Sequence, residues 1–197
     1  MTDRKLPTYS ENPIDNQILY YKAPFYKIFR KFNFTPNDIT TLSLMLGILS
    51  IYCFVVKKFT MSAICYFISY CFDVYDGNYA RTYNMVTRFG DYYDHIKDLI
   101  INISLLYVFI KYTTIKQHTT LIICITCILL LCTLIHLGCQ ENYVYINKLD
   151  SNSEYLSFLQ RLCPTKVEYT LNKLRYFGCG TFAIWVSIII YLNNYFS

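Results

Sequence analysis

Four aspartates stand at fixed spacing near the middle of the chain. Asp73 and Asp76 are three residues apart, and Asp94 and Asp98 are four apart. Around them run Gly77, Ala80, Arg81 and Gly90, in the order Asp-x-x-Asp-Gly-x-x-Ala-Arg, eight residues, then Gly-x-x-x-Asp-x-x-x-Asp. In helices, spacings of three and four put each pair on one face. Two antiparallel neighbours would then aim four carboxylates at one point. Oxygen ligands of that number suit Mg²⁺ or Mn²⁺ rather than zinc, which prefers nitrogen and sulfur. Four carboxylates exceed what one Mg²⁺ usually takes, so the pattern predicts two ions, the arrangement that commonly serves phosphoryl and phosphodiester chemistry. Gly77, Gly90 and Ala80 leave little side-chain bulk, so a flat base or a phosphate could approach the backbone. Arg81 is a fixed cation suited to a phosphate oxygen.

The aspartates lie at the edges of apolar segments, where a carboxylate is expensive. Each costs roughly 3 kcal/mol at the centre of a lipid-embedded helix, so four unpaired ones cost on the order of 12 kcal/mol. Bound divalent metal is the natural compensation. Chance is a poor alternative: eight specified positions at about one in twenty each occur with a frequency near ~10⁻¹⁰ per starting position. Other polar residues nearby read differently. Asp91 is a solvated neighbour outside the motif. His95 is a surface residue or a hydrogen-bond partner of a ligand rather than a ligand.

Composition supplies the elements that must hold these groups. The chain has 197 residues, 54% hydrophobic and only 16% charged, with a positive mean hydropathy. This excludes an ordinary soluble domain and predicts an all-α, polytopic transmembrane helical bundle. Five spans are expected: about Asp38 to Val56; Met61 to Asp73, lengthened through the motif to Ala80 or Arg81; Tyr92 to Ile110; Thr119 to Leu137; and Phe177 to Tyr195. Residues 1–16 read as a flexible polar start with no apolar signal-peptide core. Pro24 to Phe32 reads as an N-terminal interfacial amphipathic helix. Phe25, Ile28, Phe29 and Phe32 form its apolar face, and Lys27, Arg30 and Lys31 point elsewhere. The division is thus 1–33, polar segment and interfacial helix, and 34–197, membrane domain. In the polar stretch 139–175, Tyr155, Phe158, Leu159 and Leu162 form an amphipathic segment ended by Pro164. Thr165-x-x-Glu168 reads as a capping box starting a helix that runs into the last span. No sixth crossing is placed there, although two short re-entrant helices would fit.

Charge gives the topology. With the N-terminus cytoplasmic, the basic residues number six before the first span, three in 81–97 and five in 139–175, against Lys57, Lys58, Lys111 and Lys116 on the other side. Fourteen against four follows the positive-inside rule and puts the whole motif at the cytoplasmic edge. The net charge of +5 therefore belongs to a membrane pattern, not to a nucleic-acid surface. Of the nine cysteines, Cys53, Cys65, Cys124, Cys127 and Cys132 lie in apolar segments and read as small hydrophobes. Cys124-x-x-Cys127 lacks the second pair that a zinc site needs.

The motif from Asp73 to Asp98 matches throughout the signature of the CDP-alcohol phosphotransferases, membrane enzymes that make phospholipid head groups. Thr35-Pro36-Asn37-Asp38-Ile39-Thr40 resembles the opening of the first membrane helix in that family. The rest of the chain is similar only in hydropathy, and five spans are counted where family members usually have six. The resemblance implies that Asp73, Asp76 and Asp94 bind the metals, and that Asp98 contacts the second metal and acts as general base. It implies that Gly77 and Arg81 hold the CDP moiety, that Thr87 brings a hydroxyl near the donor, and that Asn37 and Thr40 line the nucleotide pocket. It further implies a CDP-alcohol lipid donor, a small alcohol or lipid acceptor, release of CMP, and the homodimers frequent in the family.

The donor divides the family. The small size resembles the users of CDP-diacylglycerol, whereas enzymes that pass choline or ethanolamine phosphate from their CDP derivatives to diacylglycerol are usually longer. Arg88 and Lys97 are the cations available for a phosphorylated acceptor, and both could equally face the leaflet. Two rivals are a metal-dependent hydrolase of CDP-lipids and a divalent-cation channel or carrier. Acids at one membrane edge and Gly77-x-x-Ala80-Arg81 have no use in cation passage.

Overall fold

Polar side chains mark where the helices of this chain begin. The computed structural model describes residues 4–147 and 157–195. Helix α1 (Pro13–Tyr20) opens on Asn12, whose side-chain oxygen accepts from the Ile14 amide at 2.9 Å. Helix α2 (Lys22–Lys31) follows almost at once. Helix α3 (Pro36–Val55) starts with a complete capping box: the Asp38 amide donates to Thr35 Oγ1, and the Thr35 amide donates to Asp38 Oδ2. Together these bonds satisfy orphan donors of the first turn. Then come α4 (Phe59–Thr82), α5 (Arg88–Tyr112), α6 (Thr119–Ile146), α7 (Val167–Leu174) and α8 (Cys179–Leu192). Short 3₁₀ turns occupy Lys116–His118, Ser157–Leu162, Arg175–Phe177 and Asn193–Tyr195. No strand occurs among the described residues.

Helix α4 is the hub. It packs along α3 on one side and α8 on another, while α5 packs on α3. Phe54, Phe59, Tyr66, Ile101, Leu105, Ala183 and Ile190 fill the core that these four helices share. Two reciprocal serine pairs join α3 to α4. Ser43 and Ser69 each donate to the other's carbonyl, at 2.9 and 2.7 Å, and Ser50 and Ser62 do the same at 2.8 Å. Small hydroxyl residues let two backbones approach closely, as membrane helix pairs require.

Among the described residues, three stretches are long and apolar enough to cross a membrane: 36–55, 116–146 and 167–195. Helices α4 and α5, at 24 and 25 residues, match them in length but carry the charges of the motif. The all-helical membrane bundle read from the sequence is therefore the architecture found. Helix α4 does run unbroken through the motif, and α6 continues past Leu137 to Ile146.

Several local expectations are corrected. Within 1–16, the described residues are ordered and pack: Leu6, Ser10, Asn12 and Asp15 are buried. Asn12 Nδ2 donates to the Arg175 carbonyl and Thr181 Oγ1, and Ser10 donates to Asn172. Their polarity serves the free backbone and side-chain groups of the C-terminal helices rather than water. In α2, Phe25, Ile28 and Phe32 do face outward, but Phe29 turns in with Tyr26 against α4, where aromatic rings of Tyr75 and Tyr79 await them. Thr165 does not cap α7, whose N-cap Lys166 makes no side-chain cap bond. The Arg175–Phe177 turn and extended Gly178 interrupt the passage from α7 to α8, within the stretch 167–195 that is apolar enough to cross as a whole. Cys139 and Cys163 form a disulfide that ties α6 to the segment before α7, a pairing the spacing alone did not reveal. The other seven cysteines are free, with Cys124 and Cys127 exposed on the apolar face of α6. Tyr155 lies outside the described residues.

Candidate active site at the ends of three helices

The motif is assembled from the C-terminal third of α4, the first three turns of α5 and the first two turns of α3. Helical spacing brings three of the four predicted carboxylates together. One carboxylate oxygen each from Asp73, Asp76 and Asp94 lies within 4.8 Å of the others. Asp76 is the most enclosed at 3% exposure, and Thr40 Oγ1 donates to its Oδ2 at 2.6 Å. That bond fixes the carboxylate from the neighbouring helix. Thr40 thus acts on a motif aspartate, a contact the sequence reading did not foresee.

Asp98 is joined to the cluster through Lys97, which the sequence offered either as a cation for a phosphorylated acceptor or as a leaflet-facing residue. Lys97 is 2% exposed, so it faces neither the leaflet nor solvent. Its ammonium donates to Asp73, to Asp94 at 3.1 Å and to Ser43 Oγ at 3.2 Å, and it pairs with Asp98 at 3.0 Å. The signature leaves position 97 unspecified, so the motif alone does not tie Lys97 to its acids. The available signal is physical: a lysine within an apolar span, three residues after one acid and directly before another, seldom faces lipid. Asp98 keeps the most accessible side chain of the four acids, at 45%. Arg88, the other proposed cation, is exposed at the start of α5.

The remaining predicted residues surround this cluster. Arg81 folds back over Gly77, and a β-carbon added at Gly77 would meet only that guanidinium, at 3.5 Å. Protein packing does not demand glycine there, since the one neighbour is the far end of a flexible side chain. Gly90 differs, because an added β-carbon would come within 3.0 Å of Asn37 Oδ1 and Thr87 Oγ1. Thr87 is the N-cap of α5, its hydroxyl accepting from the Gly90 amide at 3.0 Å. Asn37, Thr87 and Gly90 therefore meet at the start of α5, and Ala80 is buried on α4. His95 pairs with Asp91 at 3.2 Å, which agrees with reading both as outside the ligand set.

The N-terminal segment borders the site, and sequence reasoning missed this. Tyr70, one turn before Asp73, donates to Asp15 at 2.5 Å. Burial first, and then the charge of Glu11, push the Asp15 carboxyl up to about 7, while the Tyr70 bond pulls it down. Glu11 is also raised by burial, and is held back by the Asn12 amide and by the charge of Arg81.

Donor chemistry decides what such a cluster can hold. Three carboxylates converging within one coordination sphere fit a hard divalent cation of the Mg²⁺ or Mn²⁺ class. An all-helical bundle with membrane-length apolar helices and this acidic site at its helix ends defines an integral membrane protein with a candidate metal centre. The chain belongs to the CDP-alcohol phosphatidyltransferase family, whose model matches residues 33–194. No curated protein and no solved structure matches it at a significant level. Membership makes it a transferase of phospholipid biosynthesis that takes a CDP-alcohol donor, has an alcohol acceptor and uses divalent metal.

Proposed function

We propose that the protein transfers a phosphatidyl group from CDP-diacylglycerol to an acceptor hydroxyl and releases CMP. The observation that carries this reading is the convergence of Asp73, Asp76 and Asp94 beside a more accessible Asp98, on two helices that end together. Phosphatidyl transfer is the reaction in the family's description, and the CDP derivative carrying a phosphatidyl group is CDP-diacylglycerol; the family's choline- and ethanolamine-phosphate transferases are the alternative.

Asp73, Asp76 and Asp94 hold Mg²⁺ or Mn²⁺, which when bound neutralises the donor pyrophosphate and polarises its phosphorus–oxygen bonds. Asp98 accepts the proton of the acceptor hydroxyl. The freed oxygen forms a bond to the phosphorus bearing the lipid, and the bond from that phosphorus to CMP breaks. Arg81 pairs with phosphate oxygens of the nucleotide, and Gly77 leaves the room they need. Thr40 keeps Asp76 turned into the cluster. Asn37, Thr87 and Gly90 form the wall nearest the nucleotide. The site faces the cytoplasm: setting buried Lys97 aside, thirteen basic residues lie on its side of the membrane against four on the other.

Product analysis tests this reading. Purified protein given CDP-diacylglycerol, Mg²⁺ and a panel of alcohols should yield CMP and a phosphodiester lipid. Phosphatidic acid as the sole lipid product would make the protein a hydrolase. Diacylglycerol consumed with CDP-choline or CDP-ethanolamine, and not CDP-diacylglycerol, would reassign the donor.

A further inference from the structure

We propose that the Lys97 ammonium fills the second cation position of this site, so that the chain binds one divalent ion where its motif supplies ligands for two. The inference rests on the metal reading given under Proposed function. Two overlapping sets of acids can be drawn from the four. Asp73, Asp76 and Asp94 are mutually within 4.8 Å. Asp73, Asp94 and Asp98 are the three that Lys97 Nζ contacts. Asp76 is in the first set alone and Asp98 in the second alone. The hydroxyl of Thr40, not the lysine, is what Asp76 accepts from.

The lysine is built into this place. It is 2% exposed, and beyond the three acids it reaches Ser43 Oγ on α3 at 3.2 Å. An ammonium has three hydrogens to donate, so four acceptors at this range occupy it fully. A Mg²⁺ ion coordinated by the same oxygens would stand about 2 Å from each, inside the volume that Nζ takes. Like charge opposes the same overlap. Lys97 therefore does for Asp98 what a second ion would do: it neutralises the pair Asp73 and Asp94 on that side and anchors Asp98 beside them. It acts as a positioning residue and contributes one charge where an ion would contribute two.

Counting bound Mn²⁺ tests this without recourse to turnover. Full-length protein in detergent is saturated with Mn²⁺ alone, and the ions per chain are measured by equilibrium dialysis and by electron paramagnetic resonance. The expected wild-type result is one Mn²⁺ per chain with the spectrum of an isolated ion. Lys97→Ala should bind two, with the altered spectrum of a spin-coupled pair. Asp98→Asn should still bind one, and Asp76→Asn should bind at least tenfold more weakly. These last two variants keep the test intact should Lys97→Ala fail to fold, because a two-ion site would lose an ion on Asp98→Asn. Two coupled ions in the wild type would overturn the inference and leave the proposed function standing. A folded Lys97→Ala that stays at one ion, or a wild type that binds none while Lys97→Ala binds, would also overturn it. No Mn²⁺ on any variant would remove the metal reading itself.

Discussion

Asp98 is the motif acid with the most accessible side chain, yet it is anchored at 3.0 Å by a buried lysine. A group in that position can meet an incoming hydroxyl without wandering. Asp98→Asn keeps the shape and removes the basicity, so CMP release should fall by roughly 10²–10⁴-fold while the variant elutes and melts like the wild type. Turnover near normal would end the assignment of Asp98 as base. Thr40 works through Asp76. Thr40→Val deletes the 2.6 Å bond and should weaken Mg²⁺ activation by roughly 10–100-fold, the usual effect of losing a partner of a ligand, seen as a shift in the metal concentration for half-maximal rate. Asp15 belongs to the fold rather than the chemistry. Folded protein holds its proton up to about pH 7, whereas an unfolded chain releases it near pH ~4. Stability from this group is thus greatest below that lower value and is lost as pH rises through the window, by at most roughly 4 kcal/mol. Glu11, Asp73 and the Tyr70 hydroxyl face it. Thermal midpoints measured between about pH 5 and about pH 7.5 should decline in the wild type and flatten in Asp15→Asn. An unchanged slope in that variant would show that other groups carry the dependence.

At the scale of helices, the α3–α4 contact sets the geometry of everything above it. The serines at 43 and 50 on one helix meet those at 69 and 62 on the other. Ser50→Leu should drive the helices apart and cost about 1–3 kcal/mol. Ser62→Ala should cost only about 0.6 kcal/mol for each bond it removes. Thermal inactivation in detergent would rank the two, and equal losses would argue that the pairs do not set the spacing. Hydropathy made the spans readable from sequence, and helical periodicity made the facing of Asp73 with Asp76 and of Asp94 with Asp98 readable too. What stayed hidden depends on contacts distant in sequence. The Ser43 and Ser50 pairs have no local signature, and residues such as Ser10, Asn12 and Asp15 look solvated until the helices they serve are in place. Lys97 was legible as a cation near the site, but not as the partner of the motif acids, because a motif read by its fixed positions says nothing of what the residue between them contacts.

For the whole molecule, the orientation and the disulfide can be tested together. The Cys139–Cys163 bond lies on the side of the membrane that the basic residues assign to the cytoplasm. Cytosol keeps thiols reduced. Alkylation in intact cells should therefore trap both thiols free, with the bond forming after lysis under oxidising conditions. A bond already present in the cells would turn the site toward an oxidising compartment. The central claim is the transfer itself. Its most direct measurement is CMP release by the purified protein across a matrix of CDP-alcohol donors and alcohol acceptors, with Mg²⁺ or Mn²⁺ present or chelated. The account predicts CMP only when metal, CDP-diacylglycerol and one class of acceptor are all supplied, and roughly 10²-fold less or lower still from Asp98→Asn. Silence across the whole matrix, or CMP release that ignores the acceptor, would contradict it.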